Sequence, residues 1–146
     1  MNEKWVDILG YWAQVVGAVG ITLLGGLDRQ LTALILLIIF DAIGGLAHSY
    51  VASRKHHKPW FNRDKAITGA ITKMIYFVLI AVAVQMDKVL GFNGIRIGFI
   101  GYLSLLEIAS IFDHAGGCGV PIPNFIADAV NQAKAKMKMT IGGKKP

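Results

Sequence analysis

The chain has 146 residues, of which 54% are hydrophobic and only 16% are charged, and its mean hydropathy is +0.52. A typical soluble domain carries about 25% charged residues, so this composition argues against an ordinary soluble protein. The net charge of +6 at pH 7 would also suit a nucleic-acid-binding protein. The positions of the basic residues account for this charge without nucleic acid, as shown below.

Four long apolar segments follow one another along the chain. A bilayer core about 30 Å thick needs about 20 apolar residues in a helix, and the first segment, 8–27, meets this without any Asp, Glu, Lys or Arg. We predict the other helices at about 31–52, 66–86 and 94–112. Helices of a soluble bundle would carry a charged face, which is missing here. The sequence therefore predicts an all-α membrane protein with a four-helix transmembrane domain over residues 1–120.

The first segment also resembles a cleavable secretory signal, because a lysine precedes it. Its apolar run exceeds the roughly 7–15 residues of the apolar core of a signal sequence, so we expect it to be retained. At the other end of the chain, two prolines at 121 and 123 prevent the fourth helix from continuing. We predict an amphipathic interfacial helix over 121–139 and a disordered basic tail over 140–146.

The basic residues fall mainly on one side of the predicted membrane domain. If the N-terminus is cytoplasmic, eleven lysines and arginines face the cytoplasm and three face the opposite side. This bias predicts that both termini are cytoplasmic, and the clustered charges favour contact with an anionic cytoplasmic leaflet. The residues to which we assign topology and lipid contact are Arg54, Lys55, Lys58, Arg63, Lys65, Lys134 and Lys138.

The sequence contains no motif typical of an enzyme, such as a phosphate-binding loop or a zinc-protease signature. A single cysteine, Cys118, allows no intramolecular disulfide. His114 lies four residues before it, but these two residues do not make a four-ligand metal set. We therefore predict no catalytic residue, no cofactor and no metal site.

Charged residues lie within three of the spans, where each costs about 2.5–3.5 kcal/mol near the bilayer centre and therefore must face protein or water. Hydroxyl residues recur on the same helices at helical spacing. Two interpretations remain open: these side chains pair between helices, or they line a water-filled lumen when many copies assemble. The polar set is Asp41, Lys73, Glu107, Thr68, Thr72, Ser104 and Ser110. The residues predicted to allow close helix packing are Gly17, Gly44, Gly45, Gly94, Gly98 and Gly101.

Several motifs occur together in one order between about residues 31 and 133. They are the mid-helix Asp41 in Phe40–Gly45, the basic connector, Lys65–Gly69 followed by Lys73, Glu107–Ile111, and the exit Gly119–Pro123. In this order they resemble the phage-lysis and toxin-secretion holins with four hydrophobic segments. The chain departs from that pattern at Gly44, where the family usually has a hydroxyl residue, and at Phe112 and Asp113, where it tends to have Glu-Asn.

The resemblance implies a protein that accumulates in the bacterial cytoplasmic membrane, assembles with itself and opens lesions for a folded cargo. The cargo would be an endolysin in phage members and a toxin in toxin-associated ones, and no nucleic acid is implied. The alternatives are a non-lytic exporter or assembly subunit and a small ion channel. All three classes need helices with polar faces, so the residues alone do not separate them.

Overall fold

The protein folds into four long helices in a computed structural model that describes residues 3–56, 62–129 and 131–132. The helices are α1 (Glu3–Leu23), α2 (Arg29–His56), α3 (Arg63–Leu90) and α4 (Ile95–Gly117), and a short helix follows at 124–129. No strand occurs in these described ranges. All four long helices have the length and apolar composition needed to cross a membrane. The predicted all-α class with four candidate membrane spans and a C-terminal helix is confirmed.

The C-terminal ends of the helices differ from the predicted bounds, earlier for α1 and later for α2, α3 and α4. α1 ends four residues earlier than expected because Gly25 and Gly26 adopt φ values of 81° and 98°. The amide of Gly26 donates to the carbonyl of Ile21 at 2.9 Å, which closes the helix. The other three helices extend beyond the predicted apolar segments at their C-terminal ends. Hydrophobicity identifies only the apolar part of a helix, and polar residues at the membrane edge can continue it.

Side-chain caps fix where the later helices begin. Asn62 accepts a hydrogen bond from the amide of Lys65 at 3.1 Å at the start of α3. At the start of α4, the two carboxylate oxygens of Asp87 accept from the amides of Ile95 and Arg96, each at 3.0 Å. Gly91, with φ of 64°, ends α3. Asp87 therefore links the end of α3 to the beginning of α4 and keeps their connection short.

α4 packs against both α2 and α3, and its interface with α2 is the larger. The apolar core of this three-helix unit is a cluster of fully buried side chains: Leu31, Leu34, Ile80, Ile100 and Leu103. α1 is different, because no residue of its span Trp5–Leu23 is buried. Within the described part of the chain, α1 has no helix interface comparable to those of α4.

The C-terminal predictions are described only in part. Residues 124–129, 131 and 132 are helical, and the carbonyl of Pro123 accepts from the amides of Ile126 and Ala127 at 2.9 and 3.2 Å. Residues 121–123, the first part of the predicted interfacial helix, are described and are not helical. Residues 130 and 133–139, the tail 140–146, and Lys58, Lys134 and Lys138 lie outside the described residues.

Candidate intramembrane polar site

Side chains of the packed helices meet in three layers that are seven residues apart, two formed by α2, α3 and α4 and the third by α2 and α4. Positions seven apart return to nearly the same face of a helix, so each helix repeats one contact along its length. We call the second and third layers the polar layer and the histidine layer. The three layers consist of Leu34, Ile80 and Ile100; of Asp41, Lys73 and Glu107; and of His48 and His114.

The polar layer joins all three helices through one cation. Nζ of Lys73 on α3 lies 3.2 Å from Oδ2 of Asp41 on α2 and also contacts Oε1 of Glu107 on α4. The same ammonium lies 5.2 Å from the ring centroid of Tyr76, within cation–π range. The side chains of Lys73, Asp41 and Glu107 are 22%, 13% and 1% exposed. The three charged residues expected within the spans thus lie together inside the single chain.

The polar layer is not fully compensated. Two carboxylates surround one ammonium, and Oε2 of Glu107 is buried without a hydrogen-bond partner among the described groups. Oδ1 of Asp41 is also buried; it lies 3.5 Å from Nε2 of His114, within ion-pair distance but without hydrogen-bond geometry. Groups of this kind are costly in a low-dielectric interior. The polar layer therefore holds the three helices together while two carboxylate oxygens remain without a hydrogen-bond donor.

The histidine layer lies beside the polar layer, towards the C-terminal ends of α2 and α4. Nδ1 of His48 is 3.4 Å from Nδ1 of His114, and Nε2 of His114 is 3.5 Å from Oγ of Ser110. Among the described residues, no group of three His, Cys, Asp or Glu side chains is placed to hold a metal ion. From the sequence we considered His114 only as a metal ligand. Its position seven residues after Glu107 was the signal that it would also contact α2.

Glycines make room for the histidine layer. A Cβ at Gly44 would lie 3.3 Å from Cβ of His114, and one at Gly45 would lie 3.4 Å from Nε2 of the same residue. On the opposing helix, a Cβ at Gly117 would lie 2.5 Å from Nε2 of His48. The close approach of α2 and α4 thus depends on missing side chains on both helices.

The other glycines assigned to packing do not contact a neighbouring helix inside the single chain. Open space surrounds the Cβ positions of Gly17, Gly98 and Gly101, while a Cβ at Gly94 would meet only the ring of Phe92 in the same turn. Their assignment to helix packing therefore stays a prediction.

The hydroxyl residues divide into two groups. Thr68 and Thr72 on α3 are exposed and donate to carbonyls of their own helix, those of Asp64 and Thr68, at 2.8 and 2.9 Å. They do not join the polar layer in the single chain. Ser104 and Ser110 on α4 are partly buried, and Ser110 lies beside His114.

The described basic residues of the predicted lipid-contact set lie near the ends of α2 and α3. The guanidinium of Arg54 lies 5.3 Å above the ring of Tyr50, and Arg63 and Lys65 are exposed in the first turn of α3. The backbone of Lys55 belongs to the last turn of α2. These positions lie at the end of the bundle where α2 and α3 are connected.

A second polar cluster, not predicted from the sequence, lies at the other end of the bundle. Arg96 at the start of α4 donates from Nε to the carbonyl of Leu24 at 2.7 Å and from Nη2 to that of Gly26 at 3.1 Å. Its Nη1 pairs with Oδ2 of Asp28 at 2.5 Å. We call these contacts the Arg96 clamp. The hydrogen bond from Arg96, followed by that from the Leu31 amide, holds the pKa of Asp28 below its ordinary value.

The Arg96 clamp also explains why residue 25 is a glycine. A Cβ at Gly25 would lie 2.9 Å from Nε of Arg96, and the residue has a positive φ. The contacts join positions about 70 residues apart in sequence. No local motif marks such a pairing, so sequence patterns had no means of revealing it.

The helices and their internal charges define a multi-pass α-helical membrane protein. Comparison with protein families gives the more specific class: residues 18–135 match the model of the bacteriophage holin family. The chain belongs to this family, as its sequence motifs indicated. It is also similar to an uncharacterized protein, BH0965, of Halalkalibacterium halodurans, with 27% identity over 136 residues that cover 88% of this chain and 96% of the relative. No solved structure matches the chain.

Proposed function

We propose that this protein is a holin that assembles with itself in the bacterial cytoplasmic membrane and opens a lesion for a folded cargo. The cargo is an endolysin or a toxin, and release of an endolysin leads to lysis of the host cell. Membership of the holin family supports the class of activity. The observation that carries the proposal is the polar layer, because it places three ionisable side chains at the junction of three apolar helices.

The proposed mechanism uses the polar layer in two ways. In the single chain, Lys73 pairs with Asp41 and Glu107, so most of the charge is shielded from lipid. A helix arrangement of this type can be bistable when a second set of contacts has a similar free energy. On assembly, the same side chains would separate and face water in a lumen formed by several copies. The protein needs no catalytic residue or cofactor for this function.

We also propose an orientation in the membrane with both termini in the cytoplasm. It rests on the distribution of lysine and arginine in the sequence. In this orientation Arg54, Arg63 and Lys65 would contact anionic lipids of the cytoplasmic leaflet. A single-cysteine variant at residue 140, in a Cys118→Ser background, tests the orientation with a membrane-impermeant thiol reagent. Labelling from outside intact cells would contradict it.

The decisive experiment expresses the full chain from an inducible promoter in a bacterial host, with and without a cytoplasmic endolysin. Culture density and membrane potential are followed together. We expect loss of potential in both cultures, followed by abrupt lysis only in the one containing endolysin. Depolarisation without endolysin release would favour a small ion channel, and stable insertion with neither effect would favour a non-lytic exporter or assembly subunit.

Substitutions in the polar layer connect this activity to the structure. Asp41→Asn, Lys73→Met and Glu107→Gln are compared with Lys88→Met, which changes an exposed lysine in the last turn of α3. We expect the three polar-layer variants to alter the onset of depolarisation and Lys88→Met to leave it unchanged. Unchanged assembly and permeability in all three would contradict a role for the polar layer in the lesion.

A further inference from the structure

α1 has a polar face that nothing in the described chain covers. Along this helix, residues 7, 10, 14, 17 and 18 fall on one side at helical spacing. All five are exposed, and we call them the α1 polar face: Asp7, Gly10, Gln14, Gly17 and Ala18. The exposed Ile21, seven residues after Gln14, lies on the same side. The opposite side carries mainly large exposed apolar residues, with Ala13 and Gly20 at its edge: Trp5, Leu9, Trp12, Val16, Val19 and Leu23. This asymmetry is unexpected for a helix surrounded by lipid on all sides.

Gln14 is the most informative residue on this face. It is the middle residue of the span Trp5–Leu23, so nine helical residues, or about 13 Å, separate it from either end. Its amide makes no hydrogen bond with any residue in the described ranges. An amide in hydrocarbon without a partner costs several kcal/mol on water-to-alkane scales. The side chain therefore needs a partner from outside the single chain.

The rest of the chain is not placed to supply that partner. The Arg96 clamp holds the carbonyls of Leu24 and Gly26, just beyond the last turn of α1. It fixes one end of α1 to the start of α4, while the span itself contributes no buried residue to the three-helix unit. α1 thus extends from a fixed attachment with Gln14 uncovered.

We propose that α1 pairs with α1 of a second copy of this chain through the α1 polar face, with a Gln14–Gln14 hydrogen bond at its centre. An amide is both donor and acceptor, so two identical side chains satisfy each other. Copies inserted in the same orientation place their Gln14 side chains at the same depth in the membrane. A different protein would need its own polar side chain at that depth. Gly10 and Gly17, one turn to either side, leave open space for the close approach of a second helix.

The proposal deepens the proposed function, because it names a contact used in self-assembly and rests on that part of it. Crosslinking tests the contact geometry in the full-length chain in membranes. In a Cys118→Ser background, Ala18→Cys lies on the α1 polar face and Val16→Cys lies on the opposite side at a similar depth. A disulfide needs Cα atoms within about 7 Å. We expect oxidation to crosslink Ala18→Cys and not Val16→Cys.

A second measurement tests the amide itself by sedimentation or energy transfer between copies in micelles. Gln14→Leu should weaken self-association by about three- to thirty-fold, the range found for hydrogen bonds between membrane helices. Gln14→Asn should retain most of the association, and Gln85→Leu, at an exposed glutamine of α3, should not change it. Circular dichroism confirms that each variant remains helical.

Three results would overturn the proposal. They are equal crosslinking at positions 16 and 18, unchanged association of Gln14→Leu, or labelling of Gln14→Cys by a water-soluble thiol reagent without crosslinking, which would indicate a lumen. These readouts do not depend on lysis. A chain that pairs through α1 but releases no endolysin would contradict the proposed function alone, while a lytic chain without α1 crosslinks would contradict this inference alone.

Discussion

Removal of the ammonium from the polar layer is the sharpest test of the packing described above. Lys73→Met keeps the length and apolar stem of the side chain but removes the ammonium that contacts both Asp41 and Glu107. Because Glu107 is 1% exposed and its Oε2 already lacks a partner, water cannot readily replace the lost contacts. Breaking a buried ion pair by removing one partner typically costs about 3–5 kcal/mol, and we expect a loss in this range.

Stability should recover when the three charges of the polar layer are removed together. In Asp41→Asn/Lys73→Met/Glu107→Gln no buried charge is left unpaired, and replacing a complete buried ion cluster by neutral groups is often neutral. We expect this triple variant to regain most of the stability that Lys73→Met loses. The assay is reversible unfolding in mixed micelles with increasing denaturing detergent, followed by circular dichroism. Lys88→Met, at an exposed position, is the matched control.

Two results would refute this account of the polar layer. One is a loss below about 1 kcal/mol for Lys73→Met, the size of a typical exposed ion pair. The other is a triple variant no more stable than Lys73→Met, since the cost would then arise from lost packing rather than from uncompensated charge.

Two further predictions concern the ends of the α2–α4 interface. Because the pKa of Asp28 lies below its ordinary value of 3.8, the Arg96 clamp stabilises the fold above that pH, and this contribution is lost as pH falls through the lowered pKa. Hydrogen-exchange protection of the hydrogen-bonded amides of residues 24–26 should decrease in that acidic range, whereas Asp28→Asn should have low protection throughout; protection of the native chain that persists to the lowest pH would contradict the assignment. Gly44→Ala places a methyl group 3.3 Å from Cβ of His114, and this overpacking should cost about 1–3 kcal/mol relative to the same substitution in open space. Gly98→Ala, in open space, should have no such cost in the same unfolding assay, and equal losses would refute the role of Gly44.

The sequence predicted the spans well because long apolar segments are a local signal that depends on only about 20 consecutive residues. It also indicated which charged residues need compensation, since Asp41, Lys73 and Glu107 interrupt those segments. Their mutual pairing remained one of two interpretations, because pairing depends on how the helices rotate against each other. The extended ends of α2 and α3 could not be predicted from hydrophobicity, which decreases at the membrane edge while the helix continues.

The parts that the sequence did not reveal are contacts between distant residues. The Arg96 clamp joins α4 to carbonyls of the α1–α2 connection, and a carbonyl acceptor has no residue-type signature. The role of Gly44 beside His114 was equally hidden, because a small residue in a membrane helix is compatible with contact inside one chain or between copies. Only the arrangement of three helices distinguishes Gly44 from Gly98.

The contacts between α2 and α4 are stronger at one end of the bundle than at the other. This difference predicts where the helices separate first when copies assemble. The end near the Arg96 clamp is packed by fully buried apolar side chains, whereas the contacts of His114 in the histidine layer are 3.4–3.5 Å long and lie next to the unpartnered carboxylate oxygens of the polar layer. When the helices separate at the end with the histidine layer, the exposed polar groups can form hydrogen bonds with water or with another copy. When they separate at the apolar end, the exposed side chains can form no hydrogen bonds. The helices should therefore separate first at the ends of α2 and α4 that carry the histidine layer, with the clamped end acting as the pivot.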